Sequence, residues 1–211
     1  MCITRTFFNT HRGGKRLRRA ATGLLLLVAS TAFAEGGWLT ARGRLQPELR
    51  LEAWGGTRSA GVGFVLPDAP AARAGVSGEL LYAFLDRTVE VRGARVWQLT
   101  KNQLGTASAT LGGSAHLVPG SDFGLGPHAG LNLALGGETF TVDLGLQTGA
   151  ELFSSLVTRL PQRLLLGLEL RLGKWSVGLH IRGGVDVLPG RGFVGRGEAT
   201  LSLSWFGAAS H

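Results

Sequence analysis

After position 2 the 211-residue chain contains no cysteine. That excludes disulfides, a thiol nucleophile and thiolate zinc sites from the downstream fold. Lysine is almost as scarce: beyond position 34 only Lys101 and Lys174 remain, both at expected turns. The wet surface of a soluble β-protein is usually rich in lysine and glutamate, so this scarcity argues against one. Long hydrophobic runs are missing too. No stretch after position 34 reaches the ~20 apolar residues that a membrane-crossing helix requires.

What is present starts with a targeting pattern. Lys15, Arg16, Arg18 and Arg19 precede a short apolar stretch from Leu24 to Ala29, and Ala32-Phe33-Ala34 stands before Glu35. A basic start, a short apolar centre and an A-x-A site read as a cleaved secretory signal, with the cut between Ala34 and Glu35. Residues 1–34 are then set apart, and 35–211 form one domain. Six of the 22 basic residues precede Glu35 and none of the 14 acidic ones do, which leaves 16 against 14. The high pI therefore belongs to the targeting segment, and nucleic acid is not an expected partner.

The rest is punctuated by turn clusters: "VPGSD" (118–122), "GGE" (136–138), "GK" (173–174) and "PGRG" (189–192). Between them the chain alternates with period two. In "TFTVDLGLQTGAEL" (139–152), Phe140, Val142, Leu144, Leu146 and Leu152 oppose Thr141, Asp143, Gln147 and Glu151. Alternate side chains of a strand point to opposite faces, so one face is oily and one polar. Ten such strands are expected, near 45–54, 58–66, 76–85, 88–99, 105–117, 123–135, 139–152, 163–172, 175–186 and 195–206.

Alternation alone does not say which face points inward. Composition decides it. The oily faces are leucine-rich along their whole length, whereas the polar faces carry Gly, Ser, Thr, His and mixed Glu/Arg. Small and mutually pairing groups suit a narrow polar interior, with the leucines outside. The expected fold is all-β: an antiparallel, up-and-down transmembrane β-barrel of about ten strands. Eight is the alternative: Pro47 and Pro127 weaken their strands, "GELLYAFL" (78–85) is oily on both faces, and Arg95 falls on the lipid face unless a bulge near Gly93 shifts the register. With an even strand number both termini share one side. The short connections 136–138 and 173–174 then face the periplasm, and the longer ones at 153–162 and 187–194 face outward. Trp97, Phe140, Trp175 and Trp205 make one aromatic girdle; Tyr82, Phe84, Phe123 and Phe153 make the other.

The run "GEATLSLSW" sets Ala199, Leu201, Leu203 and Trp205 on one face and closes on an aromatic residue. It resembles the C-terminal assembly signal of bacterial outer-membrane barrels, although Phe206 and "GAASH" follow. The general character of 35–211 is similar to small OmpA- or OmpX-like barrels. The resemblance implies a bacterial outer-membrane location, contact with outer-membrane lipid, and engagement of the barrel-insertion machinery through the last strand.

Inward parity collects a polar set: His116, His128, Asp143, Glu151, Glu169, Arg171, His180, Arg182 and Glu198. A two-residue turn at 173–174 places Glu169 opposite Gly178 and Gly167 opposite His180; a tight turn at Gly136-Gly137 places His128 opposite Gly145, diagonal to Asp143. Ser108 and Ser114 are the hydroxyls near these histidines. Histidines and paired charges ordinarily fill narrow barrels, so no catalytic residue is assigned. Nothing fixes the spacing of His116, His128 and Asp143 for a metal, and no cofactor is implied. Glu169, Arg171, Arg182 and Glu198 are expected to form one cross-lumen network, and the glycine-lined parity marks Gly167 as tolerant of serine. The expected role is non-enzymatic, structural or surface-interacting; the alternatives are a small solute pore and a lipid- or lipopolysaccharide-modifying barrel enzyme.

Overall fold

The structure is a computed structural model. It describes residues 48–208 apart from 69–72, 102–103, 121 and 138. The targeting segment, the Ala34/Glu35 cleavage site, and residues 45–47 of the first expected strand lie outside the described residues.

Eleven strand segments follow one another: β1 (Glu48–Gly56), β2 (Ser59–Pro67), β3 (Ala74–Ala83), β4 (Thr88–Lys101), β5 (Gly105–Val118), β6 (Asp122–Gly136), β7 (Phe140–Gly149), β8 (Glu151–Phe153), β9 (Thr158–Leu172), β10 (Trp175–Leu188) and β11 (Gly192–Ala208). Consecutive segments pair antiparallel, except that β7 and β8 both lie between β6 and β9, and β1 pairs with β11 from Glu48↔Ala208 to Gly56↔Thr200, which closes the sheet. β7 and β8 are two halves of one strand. His128 faces Gly149 and Leu125 faces Leu152, so the register is unbroken between them. The missing rung is Pro127, which has no N–H to give, although its carbonyl accepts from the Ala150 N–H at 3.0 Å. The result is a closed ten-stranded antiparallel barrel, so the eight-stranded alternative is excluded. Closure also removes every sheet edge.

The barrel is inside out relative to a soluble protein. Leucines along β6, β7, β9 and β11 are exposed, up to 64% at Leu164, while Glu52, Glu90, Asp143, His180, Arg182, Asp186 and Glu198 are buried. The inward apolar residues that touch one another are Trp54, Leu81 and Ala83. This explains why "GELLYAFL" looked oily on both faces: Leu80 and Tyr82 point out, Leu81 and Ala83 in. No helix among the described residues is long and apolar enough to cross a membrane, which says nothing of strands.

Three local expectations are corrected. Gly93 pairs regularly with Gly113, and the bulge lies instead at Leu99, between Gln98 and Thr100. Arg95 therefore stays on the outer face, where its long stem carries the guanidinium to Asp68 in two contacts, one of 2.7 Å. The outer connections are not long: β9 begins at Thr158 and β11 at Gly192, leaving 154–157 and 189–191. Pro161 had hidden the first part of β9. Phe153 leaves the outer girdle: its ring lies inside, 5.7 Å from that of His116. Trp97, Phe140, Trp175, Tyr82, Phe84 and Phe123 are exposed near strand ends as expected.

Candidate functional site: a charge-filled lumen

The end of the barrel holding Glu48 and Ala208 is the near end; the opposite mouth is the far end. Near the far end an alternating chain of charges crosses the interior. Arg92 bonds Glu90 on β4. Glu90 lies 3.5 Å from His116 Nδ1 on β5, and His116 Nε2 lies 3.0 Å from Glu151 on β8. Arg159 on β9 meets Glu151 at 2.5 Å and Asp186 on β10 at 3.7 Å. Asp186 also receives Arg163 and, at 2.7 Å, Arg196 of β11. His116 reaches Glu151 across β6 because Gly124 and Gly126 keep that strand low. A Cβ on Gly124 would sit 2.6 Å from the Phe153 ring, and one on Gly126 would strike the Ala150 carbonyl. Arg159 lies over the Phe153 ring, 5.2 Å from its centre.

Deeper inside, Arg182 stands 3.9 Å from Glu198 and 4.9 Å over the Trp54 ring. Glu198 accepts from the Ser59 hydroxyl at 2.7 Å and the Ser59 N–H at 2.9 Å. The His180 ring spans the space left by two glycines: added Cβ atoms would lie 2.4 Å from its Nδ1 at Gly167 and 2.5 Å from its Nε2 at Gly178. Ser202 Oγ is 3.2 Å from that Nε2. Gly167 is thus not a tolerant position; its bareness holds a histidine.

At the near end, Arg50 of β1 meets Glu169 of β9 at 2.9 Å and Glu52 at 3.5 Å, and donates to Ser204 of β11 at 2.8 Å. Arg171 pairs with Glu48 at 2.9 Å. Both guanidiniums lie over the Phe206 ring, at 5.2 and 4.2 Å.

All nine residues expected inside are turned inward, but the single network of Glu169, Arg171, Arg182 and Glu198 is not formed. Arg182 and Glu198 pair, as their register dictates; Glu169 and Arg171 turn to β1 instead. His128 faces Gly149, not Gly145, because the β6–β7 connection is centred two residues later and Gly136 takes φ 113°. The hairpin at 173–174 keeps its expected pairs, Glu169↔Gly178 and Gly167↔His180. Glu90, Arg92, Asp186 and Arg196 were readable from the same parity. Arg159 was not, since the expected strand started after it.

Ligand-type atoms of Glu90, His116 and Glu151 gather within 4.8 Å of one another, unlike the set His116, His128 and Asp143. Each carboxylate already carries an arginine, so a divalent cation there would sit against two guanidiniums. Ser114 Oγ lies 3.3 Å from His116 Nε2. Both ring nitrogens of His116 face carboxylates, which leaves no nitrogen dedicated to activating that hydroxyl. On the outer face, a groove of about 800 Å³ runs over Gly63, Gly78 and Gly93 between Phe64, Trp175 and Trp205. It is part of the apolar band.

No family model matches the chain, and no curated protein matches it. Among solved structures, one described as "KdgM porin in complex with disordered oligogalacturonate" is similar at 10% identity. The match covers 78% of this chain and 99% of that one with a TM-score of 0.42.

Proposed function

We propose that residues 35–211 form an integral bacterial outer-membrane barrel that acts without catalysis, as a structural or surface-interacting element whose lumen is held shut by ion pairs. The observation that carries this reading is the reversal of polarity: a leucine-rich face outside, and buried, mutually paired Arg, Glu, Asp and His inside. An apolar outer band has a partner in lipid hydrocarbon, and a closed barrel satisfies its backbone without water. The last strand presents Ala199, Leu201, Leu203 and Trp205 outward, available to the insertion machinery, while Phe206 is buried inside. The second reading is a small-solute pore, favoured by the polar inward side chains that run along β10 from Ser176 through His180 and Arg182 to Asp186.

Membrane fractionation with N-terminal sequencing tests the location. The expected product begins at Glu35, partitions with outer membranes and migrates differently on gels before and after heating. Recovery as a soluble periplasmic protein in native extracts overturns the reading.

A further inference from the structure

We propose that the outer-face groove over Gly78 and Gly93, with the Arg95–Asp68 pair at its rim, binds one phospholipid whose headgroup carries both a phosphate and a free ammonium. The inference rests on the proposed membrane location and adds a specific lipid to it.

The floor comes from glycines in register. Gly78 of β3 faces Gly93 of β4, which faces Gly113 of β5. All three take the outward parity of Leu80, Val91 and Leu111. At this depth three adjacent strands present no side chain to the outside, a width of about 10 Å. The Phe64 ring makes a wall on one side, since a Cβ added to Gly78 would lie 2.4 Å from it. Over Gly93 the floor is open, and an added Cβ would meet nothing within 4 Å. Leu80 and Val91 help to line the groove, whose volume of about 800 Å³ suits a hydrocarbon chain.

The rim is charged. The next outward row toward the near end runs Leu66, Val76, Arg95, Leu111. Arg95 is therefore the neighbour of Gly93 on the same face of β4, about 7 Å along the strand. Asp68 follows the end of β2, and Trp97 is the next outward residue after Arg95. An exposed indole at a strand end marks the level where hydrocarbon gives way to headgroups. Asp68 takes one N–H from each terminal nitrogen of Arg95. The other guanidinium N–H groups make no hydrogen bond among the described residues, and the two side chains are 40% and 39% exposed. Facing lipid, open donors call for an acceptor. Phosphate oxygens match a guanidinium fork, and the lone pairs left on Asp68 suit an ammonium beside that phosphate. A headgroup with negative charge alone meets Asp68 as a like charge, so the pair selects a zwitterion.

Native mass spectrometry tests this on the folded chain released from maltoside micelles. The micelles are titrated with phosphatidylethanolamine, phosphatidylglycerol or diacylglycerol. One phosphatidylethanolamine should be retained, saturably and about tenfold more tightly than either alternative. Equal retention of the three overturns the site, as does a second copy of the chain in place of the lipid. Arg95→Gln should weaken phosphatidylethanolamine about tenfold, and Asp68→Asn should abolish the discrimination against phosphatidylglycerol. An unchanged pattern in either folded variant overturns the proposal. Should neither fold, Gly93→Leu decides: filling the open floor must lower phosphatidylethanolamine retention, and unchanged retention overturns the site. Loss of selectivity in a chain that still fractionates with membranes strikes the lipid site alone and leaves the membrane location standing.

Discussion

At the scale of single residues, facing decides what a substitution costs. Ile181 lies midway along β10 and is 56% exposed on the outer face. In a bilayer, Ile181→Arg should destabilise the barrel by about 2–4 kcal/mol, read as a lower urea midpoint in lipid vesicles. Ser108 faces inward, fully buried, and its hydroxyl has no hydrogen-bond partner. Removing an unsatisfied polar group leaves no orphan behind, so Ser108→Ala should be neutral or stabilising in the same measurement. A midpoint drop larger for Ser108→Ala than for Ile181→Arg would mean that the faces are reversed. Gly167→Ala should be harmful despite its small size, because the added carbon falls 2.4 Å from His180 Nδ1. Combining it with His180→Ala should recover part of the loss. Equal losses in the single and double variants would rule out steric conflict with His180 as the cause.

At the scale of elements, the weak point of any barrel is the seam between its first and last strands. Here one side chain ties it from inside. Arg50 of β1 reaches Ser204 on β11 and Glu169 on β9, beneath Phe206. Removing one partner of a buried pair strands the other charge, so Arg50→Ala should cost about 3–5 kcal/mol. In a double-mutant cycle with Glu169→Gln the coupling should be about 0.5–3 kcal/mol, measured by reversible unfolding in vesicles. Additive losses would show that Arg50 acts through packing on Phe206 rather than through Glu169. The strands themselves were legible in the chain, because an exposed leucine face and a buried polar face impose alternation residue by residue. Their ends were not. Pro161 and Gly192 look like stops, yet both sit within paired strands. Partners were legible only where a turn pins the register, as at Gly173, whose φ of 65° suits a two-residue hairpin.

At the scale of the whole molecule, three sets of ion pairs lie at successive depths: Arg50 and Arg171 with their acids, then Arg182 with Glu198, then the chain from Arg92 to Arg196. On the proposed reading these paired side chains hold the lumen shut against a continuous water column. In planar bilayers the wild-type barrel should therefore show little or no conductance. A large, stable conductance would shift the assignment to the small-solute pore. Arg182→Ala, which leaves Glu198 without its guanidinium and uncovers Trp54, should both destabilise the barrel and raise leakage.

What the sequence by itself determined is the inside and the outside. Period-two patterning assigns each residue of a strand to a face, and even the misjudged β6–β7 turn displaced the pairing of His128 by an even number of residues. His128 and Asp143 kept their inward facing while their neighbours changed. What only the tertiary structure decided is who meets whom inside. Glu169 reaches Arg50, 119 positions away, and His116 reaches Glu151 over the bare strand at Gly124. Such contacts depend on closure of the sheet and on the stagger of its strands, which bring distant segments to one depth. A pattern local to each strand carries no record of that depth.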